Sequence, residues 1–251
     1  MDAVEISNLC KSLTLFDANG PVLNVYGETQ QEGIRLLSCC LMGKMLSHKK
    51  INRDAFKIVI EQIWNTVHGV EIELVGGNMF VFHLKDLKDK VSVQSRGPWH
   101  FDKSLIVLEE PMGAGEILKM KFQKSEFWVQ IYNIPLMCMN KKVTKMLAET
   151  IGEVVEVPLE PKDYWGKFIR VKVRIDVTQP LKRGLRVGLS DVEMMVIVLL
   201  RYERLPVLCF ACGLLGHSFQ ECSNKIARIE AMDYSSPKFW GLVTCPCFGQ
   251  I

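Results

Sequence analysis

The residues best equipped for chemistry lie late in the chain: Cys209, Cys212, His217 and Cys222, spaced C-x2-C-x4-H-x4-C. Three thiolates and one imidazole form a closed tetrahedral set for one structural Zn2+. The intervals are short enough for one loop to surround the ion. Gly213 and Gly216 supply the tolerance for positive φ that so tight a path demands. Zinc held in this way contributes on the order of 10–16 kcal/mol at neutral pH, in place of the hydrophobic core that a short loop cannot build. Four protein ligands leave no open position for water, so the expected ion is structural rather than catalytic. Glu221, beside Cys222, reads as a solvated side chain.

A loop of this size is too small to fill a groove. Taken as the zinc knuckle that its ligand pattern resembles, the loop would offer an unpaired base a small apolar platform, here Phe210 with Leu214, Leu215 or Phe219. Stacking on such a platform is worth about 1–3 kcal/mol per base. Phosphates require cations. Arg201, Arg204, Lys225 and Arg228 flank the loop, offset by Glu203, Glu221 and Glu230, so the loop alone should bind weakly. More positive charge lies upstream: residues 119–186 carry a net +7, between −3 before them and −1 after them. Within that block, residues 167–177 alternate strictly. Ile169, Val171, Val173, Ile175 and Val177 point one way, and Phe168, Arg170, Lys172, Arg174 and Asp176 the other. The alternation predicts a strand with a solvated basic face. Arg170, Lys172 and Arg174 would track a phosphate backbone while Phe210 and Arg204 sit at the base-reading loop, with Lys167, Lys182, Arg183 and Arg186 close in sequence.

The elements that position these residues fall into two units. Residues 1–33 read as a loose lead-in. In residues 34–112 an apolar run from Leu36 to Met42 predicts a strand. Asn52 then caps a helix whose stripe is Ala55, Ile58, Val59, Gln62, Ile63 and Thr66. Val70, Ile72 and Leu74 alternate with Glu71 and Glu73, Gly76-Gly77-Asn78 turns, and residues 79–84 return. A short helix over 86–95 carries Leu87 and Val91 and ends at Arg96-Gly97-Pro98. Trp99 to Leu108 is a strand. This β-α-β-β-α-β order is the signature of ferredoxin-like folds, which include RNA-recognition modules. Phe80 and Phe82 share one strand face, as do Trp99 and Phe101, and both pairs read as core.

A second α+β unit, residues 125–203, starts with a strand over 127–132. A helix capped by Asn140 follows, with Val143, Met146, Leu147 and Ile151 on one face. Strands are expected over 154–157, 167–177, 185–189 and 194–202. The unit repeats β-α-β-β and then adds strands where the first has a helix. Residues 204–224 hold the metal loop and 225–251 a tail. The fold class is therefore α+β: a ferredoxin-like (RRM-like) unit, a related second unit and a small zinc loop.

Composition narrows the function classes. With 48% hydrophobic and 24% charged residues over 251 positions, the chain can bury a core. A net charge of +3 announces no partner by itself. Nine cysteines are too sparse for a disulfide scaffold. No secretory signal follows Met1, and the longest apolar run, 194–200, falls far short of the roughly 20 residues that span a bilayer. These features imply an intracellular protein, nuclear or cytoplasmic, with reduced thiols and no membrane partner. No phosphate-cradling glycine loop, nucleophile–base pair or paired-carboxylate motif is present, so no enzymatic activity is expected.

Cys209–Cys222 resembles the CCHC zinc knuckle of retroviral and retrotransposon nucleocapsid proteins, including Phe210 after the first cysteine and the Gly216-His217 pair. The rest of the chain resembles a plant retroelement family that joins an N-terminal domain of unknown function to such a knuckle. The matching stretches are Leu41-Met42-Gly43-Lys44, Gly97-Pro98-Trp99-His100-Phe101-Asp102, Phe127-Trp128-Val129-Gln130-Ile131 with Ile134-Pro135, Gln179-Pro180-Leu181-Lys182-Arg183, and Tyr202-Glu203-Arg204-Leu205-Pro206. They run from about Leu36 to Cys222. The resemblance implies a Gag-like protein that binds single-stranded RNA or DNA, with self-association as a further partner. After the knuckle the match decays: Tyr234 and Trp240 are present, but Gly241 and Leu242 follow. Cys245-Pro246-Cys247 lacks a second pair. The competing reading is a protein–protein adaptor that uses zinc only to fold a docking element.

Overall fold

The computed structural model describes residues 24–47, 49, 51–189 and 194–233. The expectations for Tyr234, Trp240 and Cys245-Pro246-Cys247 lie outside them. A helix, α1 (Glu28–Ser38), occupies the end of the expected lead-in and the start of the expected strand. Its Glu, Gln, Arg and Leu residues favour helix, and the strand begins only at Cys40.

The first sheet contains β1 (Cys40–Met45), β2 (Val70–Gly76), β3 (Met79–Leu84), β4 (Trp99–Phe101) and β5 (Ser104–Glu109), in the order β2-β3-β1-β5-β4. All pairings are antiparallel. With α2 (Arg53–Trp64) after β1 and α3 (Leu87–Ser95) after β3, this is the ferredoxin-like arrangement. The expected single strand 99–108 is a hairpin, reversed by Asp102 and Lys103 at φ 47° and 61°.

Both helices form where the sequence places them, with different faces inward. Asn52 caps α2 by accepting from the Asp54 and Ala55 amides, yet the buried residues are Phe56, Ile60 and Trp64, while Ile58 and Ile63 are exposed. Aromatic packing decides the rotation: Phe56 stacks on Phe80 at 4.2 Å and Trp64 meets Phe82 at 4.6 Å between ring centroids. Helix α3 buries Val93 together with Asp89 and Lys90, leaving Leu87 and Val91 exposed. The two charges are satisfied: Asp89 accepts the Val67 amide, and Lys90 bonds Glu110 and the Ser38 carbonyl. Gly43 leaves the space that the Phe82 ring fills; a Cβ there would stand 2.5 Å from that ring. Phe80, Phe82 and Trp99 are core, as expected.

The second sheet repeats the first. Strands β6 (Lys124–Tyr132), β7 (Glu153–Glu156), β8 (Phe168–Asp176), β9 (Gly184–Leu189) and β10 (Met194–Tyr202) follow the order β7-β8-β6-β10-β9, the same topology position by position. Helix α4 (Lys141–Ile151), capped by Asn140, supplies the crossover and buries Thr144, Leu147, Ala148 and Ile151. The second crossover differs. Residues 177–183 contain no helix.

What occupies that position comes from further along the chain. Leu208 and Leu215 belong to the same buried cluster as Ile169, Val171, Val198 and Leu200 of the sheet. Leu181, in the helix-less connection, is also in this cluster, and its amide donates to the Gly213 carbonyl. The metal loop thus closes the second core in place of a helix. It is no appendage, and the expectation that it contributes no hydrophobic core is corrected by Leu208 and Leu215. The cluster also includes Met42, Met79, Leu105 and Val107 from the outer face of the first sheet. Both faces of the first sheet are therefore covered.

Candidate metal centre

Backbone geometry shapes the loop before any ligand is considered. Leu208 and Leu215 form a bridge, the Cys209 amide donates to the Leu214 carbonyl, and the Gly213 amide donates back to the Cys209 carbonyl. Gly213 and Gly216 have φ of 76° and 91°, where a Cβ would be strained. At Gly216 a Cβ would also approach the Leu46 carbonyl oxygen to 3.1 Å. The glycine therefore serves both the turn and the docking of the loop on the residue after β1.

This scaffold brings all four predicted ligands together. One ligand atom each from Cys209, Cys212, His217 and Cys222 lies within 4.8 Å of all the others. Cys212 Sγ is 3.4 Å from His217 Nε2. Tetrahedral coordination with standard Zn–S and Zn–N bonds places such a pair at about 3.6 Å, so the set fits one zinc ion bound through Nε2. With the protein groups alone, burial, then the neighbouring Cys209 and Cys222 sulfurs, push the Cys212 thiol up to about 12. A dication reverses that preference, because it stabilises the thiolates that the sulfurs alone oppose. The cofactor is a single structural zinc.

Around the ligands lies a second, smaller core. Cys209, Ala211, Cys222 and Ala231 are buried together, with Phe219 and Ala227 packed against them. Ala227 and Ala231 belong to α5 (Lys225–Asp233), a helix that lies in the expected tail. Asn224 caps it, accepting the Ala227 amide. Glu221 is engaged. One carboxylate oxygen accepts from the Ser218 amide and hydroxyl at 3.0 and 2.9 Å, and the other pairs with Lys49 at 3.2 Å. These contacts, the Ser218 amide first, hold its carboxyl down at about 2. A Ser-x-x-Glu pattern between the last two ligands was the available signal.

The residues expected to contact nucleic acid are distributed differently. Phe210 is half-buried on the loop, Leu214 likewise, whereas Leu215 is spent on the core. Arg204 is exposed, donates to the Arg96 carbonyl, and lies 5.3 Å over the Trp99 ring. On β8, Arg170, Lys172 and Arg174 do share a face, but the face is not a bare basic surface. Lys172 is only 5% exposed. Its ammonium pairs with Glu126 at 2.8 Å and donates to the Ser95 carbonyl at 2.9 Å. Arg174 pairs with Glu126 at 2.7 Å and Glu153 at 3.7 Å. Arg170 forms two bonds to Glu203, at 2.9 and 2.7 Å. Strand parity found the face; the covering of Lys172 by the end of α3 depends on packing between the two sheets. Burial opposes the charge on Glu126, but the bonds from Lys172 and Arg174 outweigh it and hold its carboxyl below the ordinary range.

Two family descriptions match the chain. A domain of unknown function (DUF4283) matches residues 33–110, and a zinc knuckle matches residues 175–224. The second match begins within β8 and takes in β9 and β10, so the matching unit is larger than the metal loop. The uncharacterized protein At4g02000 of Arabidopsis thaliana is 23% identical over 135 residues, 53% of this chain and 42% of that protein. The crystal structure of the N-terminal three RNA binding domains of the yeast splicing factor Prp24 aligns with a TM-score of 0.25 and 12% identity, over 56% of this chain and 55% of that one. The chain thus spans less than half of the curated relative and about half of the solved structure. The architecture is a DUF4283 domain followed by a zinc knuckle. Among the described residues, no helix is long and apolar enough to cross a membrane.

Proposed function

We propose that this protein binds single-stranded nucleic acid, is of the retrotransposon Gag-like type found in plants, and acts as a binding protein rather than a catalyst. The observation that carries the reading is the convergence of Cys209, Cys212, His217 and Cys222 on one zinc-sized centre within a zinc-knuckle match. Zinc bound by these four residues supplies a rigid cross-link and, with its coordination complete, no reactive position. The chain's own residues do the rest. Gly213 and Gly216 turn the backbone, Glu221 holds the turn between His217 and Cys222, and Phe210 offers the aromatic surface on which an unpaired base stacks. Arg204, Arg170 and Arg174, all exposed, are the cations for phosphates. Lys172 is assigned a structural part, since its ammonium is buried between Glu126 and Ser95.

The test is a titration of the full chain with single- and double-stranded oligonucleotides at low salt, with and without a chelator. Single-strand binding that is lost on chelation, and in Phe210→Ala with zinc retained, is the expected result. Binding that survives zinc removal would contradict the reading. A wild-type protein without single-strand affinity turns the assignment to a protein–protein adaptor.

A further inference from the structure

The outer face of the second sheet bears an aromatic surface beside the basic stripe, with Arg170 common to both. On β6 and β8 the residues opposite the core include Trp128, Gln130, Tyr132, Phe168 and Arg170. The strand register pairs Tyr132 with Phe168 and Gln130 with Arg170. The Tyr132 and Phe168 rings lie 5.2 Å apart, tilted by 43°. The Arg170 guanidinium lies 3.8 Å over the Trp128 ring. A chain of hydrogen bonds fixes these flat groups. The Tyr132 hydroxyl donates to Gln130 Oε1 at 2.7 Å, Gln130 Nε2 donates to Glu203 at 2.7 Å, and Arg170 donates to the same carboxylate. Next to Tyr132, β10 adds an apolar margin: Met195, Ile197 and Leu199 are 68%, 58% and 48% exposed.

Resting on the nucleic-acid reading above, we infer that this face is a second base-stacking site for single-stranded nucleic acid, with Tyr132, Phe168 and the Trp128–Arg170 stack as its platforms. Three features favour nucleic acid over another occupant. The platforms are planar, pre-positioned and on the central strands, so bases lose little by stacking on them. Arg186 and Arg201 stand on the same face, opposite Ile197 and Gln130, where phosphates flanking stacked bases would lie. The acids beside these platforms are engaged, Glu203 with Arg170 and Gln130 and Glu126 with Lys172 and Arg174, so neither opposes a polyanion as an unpaired charge. The first sheet cannot serve in this way, because its corresponding face is buried with Met42, Met79, Leu105 and Val107. Sheet-borne aromatics that stack unpaired bases are an established mode of RNA recognition.

The experiment uses the full zinc-loaded chain and fluorescein-labelled oligo(U) and oligo(dT), followed by anisotropy. Tyr132→Ala and Phe168→Leu should each weaken binding by about 5- to 150-fold, the range for losing one stacked base. Tyr132→Phe, which keeps the ring, should bind close to wild type. Photo-cross-linking of bromouridine-substituted oligo(U) to the wild-type protein should label the peptides that carry Tyr132 or Phe168, a readout independent of how the variants fold. If the wild type binds while these variants match it and cross-links fall on the knuckle alone, the second site is refuted and the knuckle reading stands. If the wild type binds neither oligonucleotide, both fail. If Ile197→Asp dissolves a self-associated form and leaves oligonucleotide binding unchanged, the face belongs to a second copy of the chain and the inference is overturned.

Discussion

Removing zinc should weaken the entire second unit. Leu208 and Leu215 are the knuckle's contribution to the main core, buried to 4% and 7% exposure, and they remain in position because the four ligands hold the loop closed. If chelation opens the loop, both leave the cluster containing Val198 and Leu200. Two leucines at about 1.5–3 kcal/mol each amount to about 3–6 kcal/mol. A domain's total stability is about 5–15 kcal/mol, so this is a large share. At about 2–4 °C per kcal/mol for a chain of this size, Tm should fall by about 6–24 °C. Hydrogen exchange read by mass spectrometry, with and without chelator, locates the effect: β8, β9 and β10 should lose protection first, ahead of α2, whose Phe56, Ile60 and Trp64 belong to a separate buried cluster. Complete alkylation of Cys212, showing that the metal has left, combined with unchanged protection across β10 would refute the reasoning.

Gly216→Ala combines a φ of 91° with a Cβ 3.1 Å from the Leu46 carbonyl; zinc affinity, measured by competition with a chromophoric chelator, should fall about tenfold or more. Lys172→Met leaves Glu126 with Arg174 as its remaining partner and takes the ammonium donor from the Ser95 carbonyl, and should cost about 1.5–3 kcal/mol in urea denaturation, the scale for losing a hydrogen bond to a charged group. Glu203 is held below the ordinary carboxylate range, chiefly by the hydrogen bond from Arg170. Its folded pKa therefore lies below its unfolded one, and its stabilisation is complete above about pH 4.3 and drains away as pH falls through the lowered value. Glu203→Gln should flatten that part of the acid stability profile, and an unchanged profile would show that the pair contributes nothing.

Patterns that depend on one element alone were legible in the sequence. The C-x2-C-x4-H-x4-C spacing located the ligands, Asn52 and Asn140 marked helix starts, and the alternation from Ile169 to Val177 gave β8 both its length and its inward face. What depends on a second element was not. The stripe Ala55-Ile58-Val59 was a sound amphipathic reading of α2, but Phe80 and Phe82 on β3 favour Phe56, Ile60 and Trp64, and the helix is rotated accordingly. Lys172 has the same parity as its exposed neighbours, and only the approach of Ser95 buries it. Leu208 and Leu215 resemble loop residues until the missing helix of residues 177–183 leaves a space for them. In each case a partner distant in sequence decided which of two locally acceptable arrangements was realised.

The use of the knuckle in place of a helix has a consequence for how the protein is made. In the first unit every residue that closes the core is synthesised by the time β5 emerges. In the second, β10 is complete at Tyr202 while its sheet still lacks Leu208, Leu215 and the ion that holds them. During translation the nascent chain therefore presents a finished sheet whose apolar face is covered by α4 on one part and open on the rest until Cys222 has left the ribosome and met its metal. Such an interval is when unfinished sheets aggregate. Zinc supply during synthesis should accordingly set the yield of intact protein, even where the mature fold would hold its ion indefinitely.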